Sequence, residues 1–369
     1  MEFGTRLLHT GHEVDRTTGA AAVPIYQVST FGQPGLNTPG PYDYARSGNP
    51  TRQALEAIIA EVEGGVRGFA FASGLAALTS ALMLFRAGDH LVVTDDCYGG
   101  TYRLLTRVLS RFGITVSFAD TSDPDAVRRA LQPNTRGLLI ETISNPFLKR
   151  TDVRAMAEIA REHGLRLLVD NTLLSPCLCR PLGEGADIVI HSATKYLGGH
   201  SDLIAGVAAV RDPALADELY FIQNAVGAVL GPQDCFLVMR GIKTLQVRVE
   251  RQAATAARIA EWLREREEVA EVYYPGVGAM VSFRLVSAAM TEPFVQRLHL
   301  PLLGVSLGAV ESLVAVPARH SHASMPPEER LRRGITDDLI RFSVGIEEPA
   351  DLLADLEQAL VYAAAQVRS

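Results

Sequence analysis

Apolar positions change their period along this chain. From about Thr51 they recur at helical spacing, with Ala54, Leu55, Ile58, Ile59 and Val62 on one face. Short apolar runs then alternate with amphipathic stretches of helical length, such as Asp152 to His163. The runs are Leu91-Val-Val93, Thr115-Val-Ser-Phe118, Gly137-Leu-Leu-Ile140, Leu165-Arg-Leu-Leu-Val169 and Asp187-Ile-Val-Ile190. Strands alternating with helices predict crossover units and a mainly parallel sheet, hence an α/β fold. Ligands of such sheets bind outside the carboxyl ends of the strands. Just past three of the runs stand Glu141, Asp170 and His191-Ser192, which makes them candidates for the floor of a site. One acid after a strand is also a common turn starter.

The first fifty residues are rich in Gly, Pro, Thr and Tyr and lack sustained periodicity. They read as an extended arm, residues 1–50, reaching onto a neighbouring subunit. Residues 51–235 form a large domain. A long helical stretch from Phe236 to Arg266 follows, then strand-like Val269 to Tyr274, Met280 to Leu285, Leu302 to Ser306, Ser312 to Val316 and Leu339 to Ile346. A final helix runs from about Pro349 to Val367. Residues 236–369 are thus a smaller C-terminal α/β domain, with the boundary near 230 to 240.

Composition narrows the function classes. The 369 residues are 47% apolar and 21% charged, ample for a core, and the net charge of −7 argues against a nucleic-acid partner. A few local donors could still hold a phosphate. No run reaches the roughly 20 apolar residues of a membrane helix. Met1-Glu-Phe-Gly-Thr-Arg6 lacks the apolar core of a secretory signal, so a cytoplasmic protein is expected. Of the four cysteines, Cys177 and Cys179 are two apart without a second metal-type pair. Reduced thiols and no metal site are the reading.

The candidate chemistry centres on Lys195, flanked by Ser192 and Thr194 and followed by Gly198-Gly199. Such a lysine is either a solvated surface charge or, if burial or a nearby cation lowers its pKa, a nucleophile toward an aldehyde. Pyridoxal phosphate needs that lysine, an acid against its ring nitrogen and a phosphate cup. Asp170 at a strand end suits the acid, and equally suits a cap on Asp170-Asn171-Thr172. Ser73-Gly74-Leu75-Ala76-Ala77 opens a helix-like run to about Phe85; a helix start with Gly suits a phosphate, or is merely a packing device. His191, His200, His320 and His322 are read as structural, since Lys195 already supplies a base.

Four stretches resemble the Cys/Met-metabolism pyridoxal-phosphate enzymes. They are Tyr44-Ala-Arg-Ser-Gly-Asn-Pro-Thr-Arg52, Tyr98-Gly-Gly-Thr101, Ser192-Ala-Thr-Lys-Tyr-Leu-Gly-Gly-His200 and Ser306-Leu-Gly-Ala-Val-Glu-Ser312. The likeness runs colinearly from about Thr5 to Ala364. It implies the pyridoxal-phosphate-dependent transferase fold type I (aspartate aminotransferase-like) and pyridoxal 5'-phosphate as cofactor. By the resemblance Lys195 is the Schiff-base lysine and proton shuttle, Asp170 pairs with the ring nitrogen, and Tyr98 stacks on the ring. Gly74, Leu75, Ser192 and Thr194 match the phosphate cup. Tyr44 and Arg46 match phosphate ligands donated by a neighbouring subunit, implying a homotetramer with shared sites. Asn145 and Arg341 match the holders of the substrate α-carboxylate, with Ser306 nearby; without the resemblance Arg341 would be a strand-edge charge.

The resemblance also frames the reaction. The family includes cystathionine β- and γ-lyases, cystathionine γ-synthases, methionine γ-lyases and O-acylhomoserine sulfhydrylases. Many γ-synthases and γ-lyases carry glutamate where this chain has Val305, and a valine cannot fix the distal ammonium of cystathionine. Val-Ser-Leu-Gly-Ala-Val-Glu311 and Gln223-Asn-Ala-Val-Gly-Ala-Val-Leu230 are similar to bacterial β-lyases. Gly100 stands where methionine γ-lyases usually have cysteine. The direct run Tyr274-Pro-Gly-Val-Gly-Ala-Met280, lacking an insertion of about twenty residues, is shared with short γ-replacing relatives. The expectation is a cystathionine β-lyase, with γ-cleavage, γ-replacement or a non-catalytic regulatory protein as alternatives.

Overall fold

The computed structural model describes residues 1–12, 14–323 and 325–368. Its large sheet has seven strands: β1 (Arg67–Phe71), β2 (His90–Thr94), β3 (Thr115–Ala119), β4 (Thr135–Glu141), β5 (Arg166–Asp170), β6 (Ile188–Ser192) and β7 (Gly206–Val210). Their order is β1-β7-β6-β5-β4-β2-β3. The pairs among β6, β5, β4, β2 and β3 are parallel, while β7 runs antiparallel to both its neighbours. Residues such as Val92, Val169 and Val207 are fully buried, as expected of a sheet covered on both faces. Since β6, β5 and β4 are adjacent and parallel, Ser192, Asp170 and Glu141 at their carboxyl ends come side by side.

Sequence periodicity places the five mutually parallel strands, β2 to β6, within one or two residues of these bounds. Glu141 and Asp170 end their strands rather than following them, and β6 continues through His191 and Ser192. The difference matters: successive strand residues face opposite ways. His191 points to the buried Glu63 carboxylate, whereas Ser192 lines the site cavity.

The helix Pro50–Glu63 buries Leu55, Ile58, Ile59 and Val62, the face read from the sequence. Asn49 caps it by accepting from the N–H groups of Thr51 and Arg52, and Gly64 ends it at φ 72°. The arm needs correction. It contains a helix, Phe3–His9, whose Leu7 is buried in the large core, so only the stretch after it is extended. That stretch is tied down at Tyr26, whose N–H donates to Thr51 Oγ1 and whose carbonyl accepts from Asn49 Nδ2.

The second sheet orders β10-β11-β12-β9-β8 from β8 (Val269–Tyr273), β9 (Met280–Leu285), β10 (Leu302–Leu303), β11 (Leu313–Ala315) and β12 (Leu339–Ser343). The expected strand Leu302 to Ser306 stops at Leu303, and residues 304–308 form a loop that enters the site. The expected helix Phe236 to Arg266 is two helices, Pro232–Ile242 and Leu245–Arg264. Cys235, Val238, Ile242 and Val249 belong to the large core, and Ala256, Ile259 and Leu263 to the second one. Core membership therefore changes along the Leu245–Arg264 helix, later than the 235/236 boundary read from the sequence. Among the described residues no helix is long and apolar enough to cross a membrane.

Candidate active site

A cavity of about 270 Å³ opens at the carboxyl ends of β4, β5 and β6. Lys195, Asp170, Tyr98, Gly74, Leu75, Ser192, Thr194, Asn145, Val305 and Arg341 all line it. Ser306 joins them through its side chain, whose Oγ accepts from Lys195 Nζ at 2.8 Å. Tyr44 and Arg46 do not line it. Tyr44 is 45% exposed, Arg46 Nε donates to Asn224 Oδ1 at 3.4 Å, and the guanidinium lies over the Tyr44 ring.

The lysine sits on a tight turn after β6. Lys195 N donates to Ser192 O at 3.1 Å, and Gly199 N to Lys195 O at 2.7 Å. Gly199 has φ 72°, and a Cβ there would overlap Arg248, whose Nη1 donates to Tyr196 O at 2.8 Å. The glycine pair thus lets the turn close under Lys195 with an arginine clamped behind it. Burial, with the Arg341 charge adding to it, lowers the Lys195 amine from 10.5 to about 8. At pH 7 roughly a tenth of these amines are neutral, against about one in three thousand for an ordinary lysine. Only the neutral form attacks an aldehyde. Capture of pyridoxal phosphate by apoprotein should therefore quicken about fivefold from pH 7 to 8 and level off above about pH 9. Stopped-flow absorbance checks this; a rate still climbing tenfold per unit past pH 9 would mark an unperturbed lysine.

Two acids occupy the floor. Asp170 Oδ1 accepts from Thr172 N at 3.0 Å and from Thr172 Oγ1 at 2.5 Å. The capping role read from Asp170-Asn171-Thr172 is thus present, and it leaves Oδ2 as the oxygen able to face the cavity. Thr172 Oγ1 also accepts from Ser192 N at 2.9 Å, so one hydroxyl joins the acid to the strand carrying Ser192. Burial raises the Asp170 carboxyl, opposed by the Thr172 hydrogen bonds. Glu141, its register partner on β4, is pushed well up by burial and then by Asp170. Its Oε1 accepts from Tyr98 N at 2.7 Å, fixing the backbone under that ring.

The helix Gly74–Leu82 points its start at the cavity, capped by Ser73, whose Oγ accepts from Ala76 N at 3.0 Å. A Cβ on Gly74 would stand 2.9 Å from Ser192 Cβ, so glycine is what lets helix start and strand end meet. The Thr194 hydroxyl is engaged with Ala205, donating to its carbonyl and accepting from its N–H.

Arg341, on β12, comes from the second sheet. It is 2% exposed. Nη1 donates to Asn145 Oδ1 at 3.3 Å and Nη2 to Ser306 O at 2.9 Å, while Nε is buried with no partner among the described residues. Burial lowers this guanidinium to about 10. A buried ion costs several kcal/mol unless an opposite charge offsets it. Among the described residues no carboxylate pairs with it, so the fork is suited to an incoming one.

These donors fit pyridoxal phosphate: an amine poised for an aldehyde, an acid for a ring nitrogen, an aromatic beside it, and a helix start with Ser192 for a phosphate. The sequence marks Thr172 only as part of the Asp170-Asn171-Thr172 cap and Glu141 only as a floor residue without a chemical task. Their signals were a hydroxyl two residues after the acid and a polar strand end in the neighbouring run. The histidines stay peripheral: His200 Nδ1 lies 2.7 Å from Gly198 O, His320 Nδ1 accepts from Val316 N, and His322 is buried beside Ser321. Burial holds Cys177 and Cys179 up at about 12, far from thiolate.

Comparison with known proteins agrees with this geometry. A cystathionine β-lyase of Bacillus subtilis (strain 168) is 51% identical over 372 residues, covering 96% of this chain and 95% of that protein. A cystathionine γ-lyase of the same organism is 50% identical over 376 residues, covering 98% and 99%. The crystal structure of a cystathionine γ-lyase from Lactobacillus plantarum complexed with L-serine superposes with a TM-score of 0.96 at 45% identity, covering 99% of this chain and 100% of that one. The model of the Cys/Met metabolism PLP-dependent enzymes matches residues 4–361, and the chain belongs to that family.

Proposed function

We propose that this chain is a carbon–sulfur lyase that cleaves L-cystathionine on its β side, releasing homocysteine, pyruvate and ammonia. The charge layout of the cavity carries the reading. Its two acids, Glu141 and Asp170, stand on the floor, while the rim is made by Val305 and Ile204, which are 66% and 65% exposed. A rim carboxylate would grip the distal ammonium of cystathionine and favour γ-chemistry; an aliphatic rim does not.

Pyridoxal phosphate, when bound, supplies an aldehyde for the amino group and a ring that accepts the electron pair left by the α-proton. Lys195 would hold its aldehyde carbon, Asp170 its ring nitrogen, and Ser192, the N–H groups of Gly74 and Leu75 and Thr194, its hydroxyl turned from the Ala205 carbonyl, would hold its phosphate, with Tyr98 against the ring. Arg341 and Asn145 would take the substrate α-carboxylate and turn Cα–H toward Lys195. The free amine of Lys195 would take that proton at Nζ, with Ser306 Oγ, which accepts from Nζ, holding the amine in line. The electron pair on Cα then expels the β-sulfur. The thiolate would take back the proton held on Lys195 Nζ and depart as homocysteine, and the remaining three-carbon fragment would take up one water to give pyruvate and ammonia.

Tyr44 and Arg46 lie exposed outside their own chain's cavity. We infer that they serve the phosphate of a neighbouring subunit in a homotetramer, and that the enzyme works in the cytoplasm.

The γ-lyases among the relatives support a second reading, γ-cleavage to cysteine, 2-oxobutyrate and ammonia. Incubation with L-cystathionine separates the two. Pyruvate with homocysteine supports β-cleavage; 2-oxobutyrate with cysteine replaces it by γ-cleavage; neither keto acid refutes the lyase. Val305→Glu should raise the 2-oxobutyrate-to-pyruvate ratio two- to fivefold, the size of a half-solvated ion pair of up to about 1 kcal/mol. An unchanged ratio would remove Val305 from the control of specificity.

A further inference from the structure

We infer that Asp96 is a positioning residue for the substrate α-carboxylate: it holds the 144–147 turn in the shape that brings Asn145 to Arg341. The inference rests on the reading of Arg341 and Asn145 as the carboxylate site. Asp96 does not line the cavity, and it is 6% exposed. Its Oδ2 accepts from Ser144 Oγ at 2.6 Å and from Phe147 N at 3.1 Å. Its backbone carbonyl accepts from Asn145 N at 3.2 Å. The turn is closed on its other side by Lys149, whose N–H donates to Ser144 Oγ at 3.0 Å and whose carbonyl accepts from Ser144 N at 2.9 Å. Residues 144, 145 and 147 thus each bond to one aspartate, and the side chain at the middle of the turn is the one that meets the guanidinium.

The placement of Asp96 along the chain adds to the case. Two residues later Tyr98 lines the cavity, with its own N–H held by Glu141. A single short loop therefore sets both the aromatic wall and the turn that aims the carboxylate fork. Without Asp96, two donors in a water-poor interior lose their acceptor, and the turn relaxes toward other partners. Asn145 then drifts from Arg341, and a displacement of about 1 Å is enough to degrade a bidentate grip. The role needs an acceptor rather than a charge. Burial raises the Asp96 carboxyl to about 7, against the pull of Ser144 and Phe147, so an amide oxygen should serve.

The test uses holoenzyme and two competitive inhibitors, L-alanine and L-alaninol. Both carry the amine and lack a leaving group, and only alanine carries the carboxylate. Asp96→Ala should shrink the preference for alanine about tenfold, with the alaninol constant, kcat and cofactor absorbance within about twofold of wild type. KM for L-cystathionine should rise in step. Asp96→Asn should keep most of the preference. Ser144→Ala, which cuts the same tie from the other side, should lose about threefold and carries the test if Asp96→Ala does not fold. Equal weakening of both inhibitors would show a general structural role and overturn the inference. So would an unchanged preference in Asp96→Ala and Ser144→Ala while Arg341→Lys loses it. If Arg341→Lys also keeps the preference, the carboxylate site itself is misassigned and the inference falls with it.

Discussion

Replacement of Lys195 by alanine is expected to lower L-cystathionine turnover by four orders of magnitude or more, to about 10⁻⁴ of wild type. Two losses combine. The amine that holds the cofactor aldehyde disappears, and so does the base that takes the α-proton. Among the described residues lining the cavity, no second amine stands ready to replace it. Ser306 is a hydroxyl accepting from Lys195, and the acids on the floor are occupied with Thr172 and Tyr98. The histidines nearest in sequence serve elsewhere, His191 with Glu63 and His200 with Gly198. Steady-state kinetics on protein saturated with pyridoxal phosphate provide the measurement, with cofactor content assayed separately. Activity within tenfold of wild type would remove Lys195 from the chemistry.

Asp170→Asn is expected to cost about 10²- to 10³-fold in kcat while leaving cofactor binding largely intact. An asparagine oxygen can keep both donations from Thr172, so the strand end and its link to Ser192 survive. What vanishes is the negative charge that keeps a proton on the ring nitrogen, and hence the ring's capacity to draw electrons from Cα. Burial raises this carboxyl; a ring cation beside it would reverse that pressure by favouring the charged form. The measurement is kcat together with the solvent-exposed α-proton exchange of a non-reacting amino acid such as L-alanine. A fall in kcat without slower exchange would place Asp170 after proton removal and contradict its assigned role.

The parallel strands β2 to β6 were legible in the sequence because a parallel sheet covered on both faces needs near-continuous apolar runs, and Leu91–Val93 or Leu165–Val169 stand out. β1 and β7 were not read. Arg67-Gly-Phe-Ala-Phe71 and Gly206-Val-Ala-Ala-Val210 rely on Gly and Ala, which carry little strand signal, and are strands because their neighbours bury them. The break near Lys243 leaves no mark in the sequence pattern because helical periodicity continues on both sides of it.

At the site, the motifs around Lys195, Asp170 and Arg341 stood out through their resemblance to a known family; by residue type alone they read equally as a surface charge, a turn cap and a strand-edge charge, and the fold is what brings them to one cavity. Residues whose task is to support those groups did not stand out. Thr172 matters through two hydrogen bonds that join separate strands, and Asp96 through a turn nearly fifty residues away. Even Ser192 and His191, adjacent and similarly polar, divide between cavity and core only once the strand is known to continue through them.

The sharpest test exploits a scarcity in the chain, which has only three lysines: Lys149, Lys195 and Lys243. Lys149 is paired with Asp120 and Asp95, and Lys243 caps a helix away from the cavity. Borohydride reduction of the holoenzyme fixes the cofactor to whichever amine holds it, and peptide mass mapping then reads the position. One equivalent of reduced cofactor on the peptide carrying Lys195 is the expected result. Modification at Lys149 or Lys243 with Lys195 left free would contradict the assignment of the site.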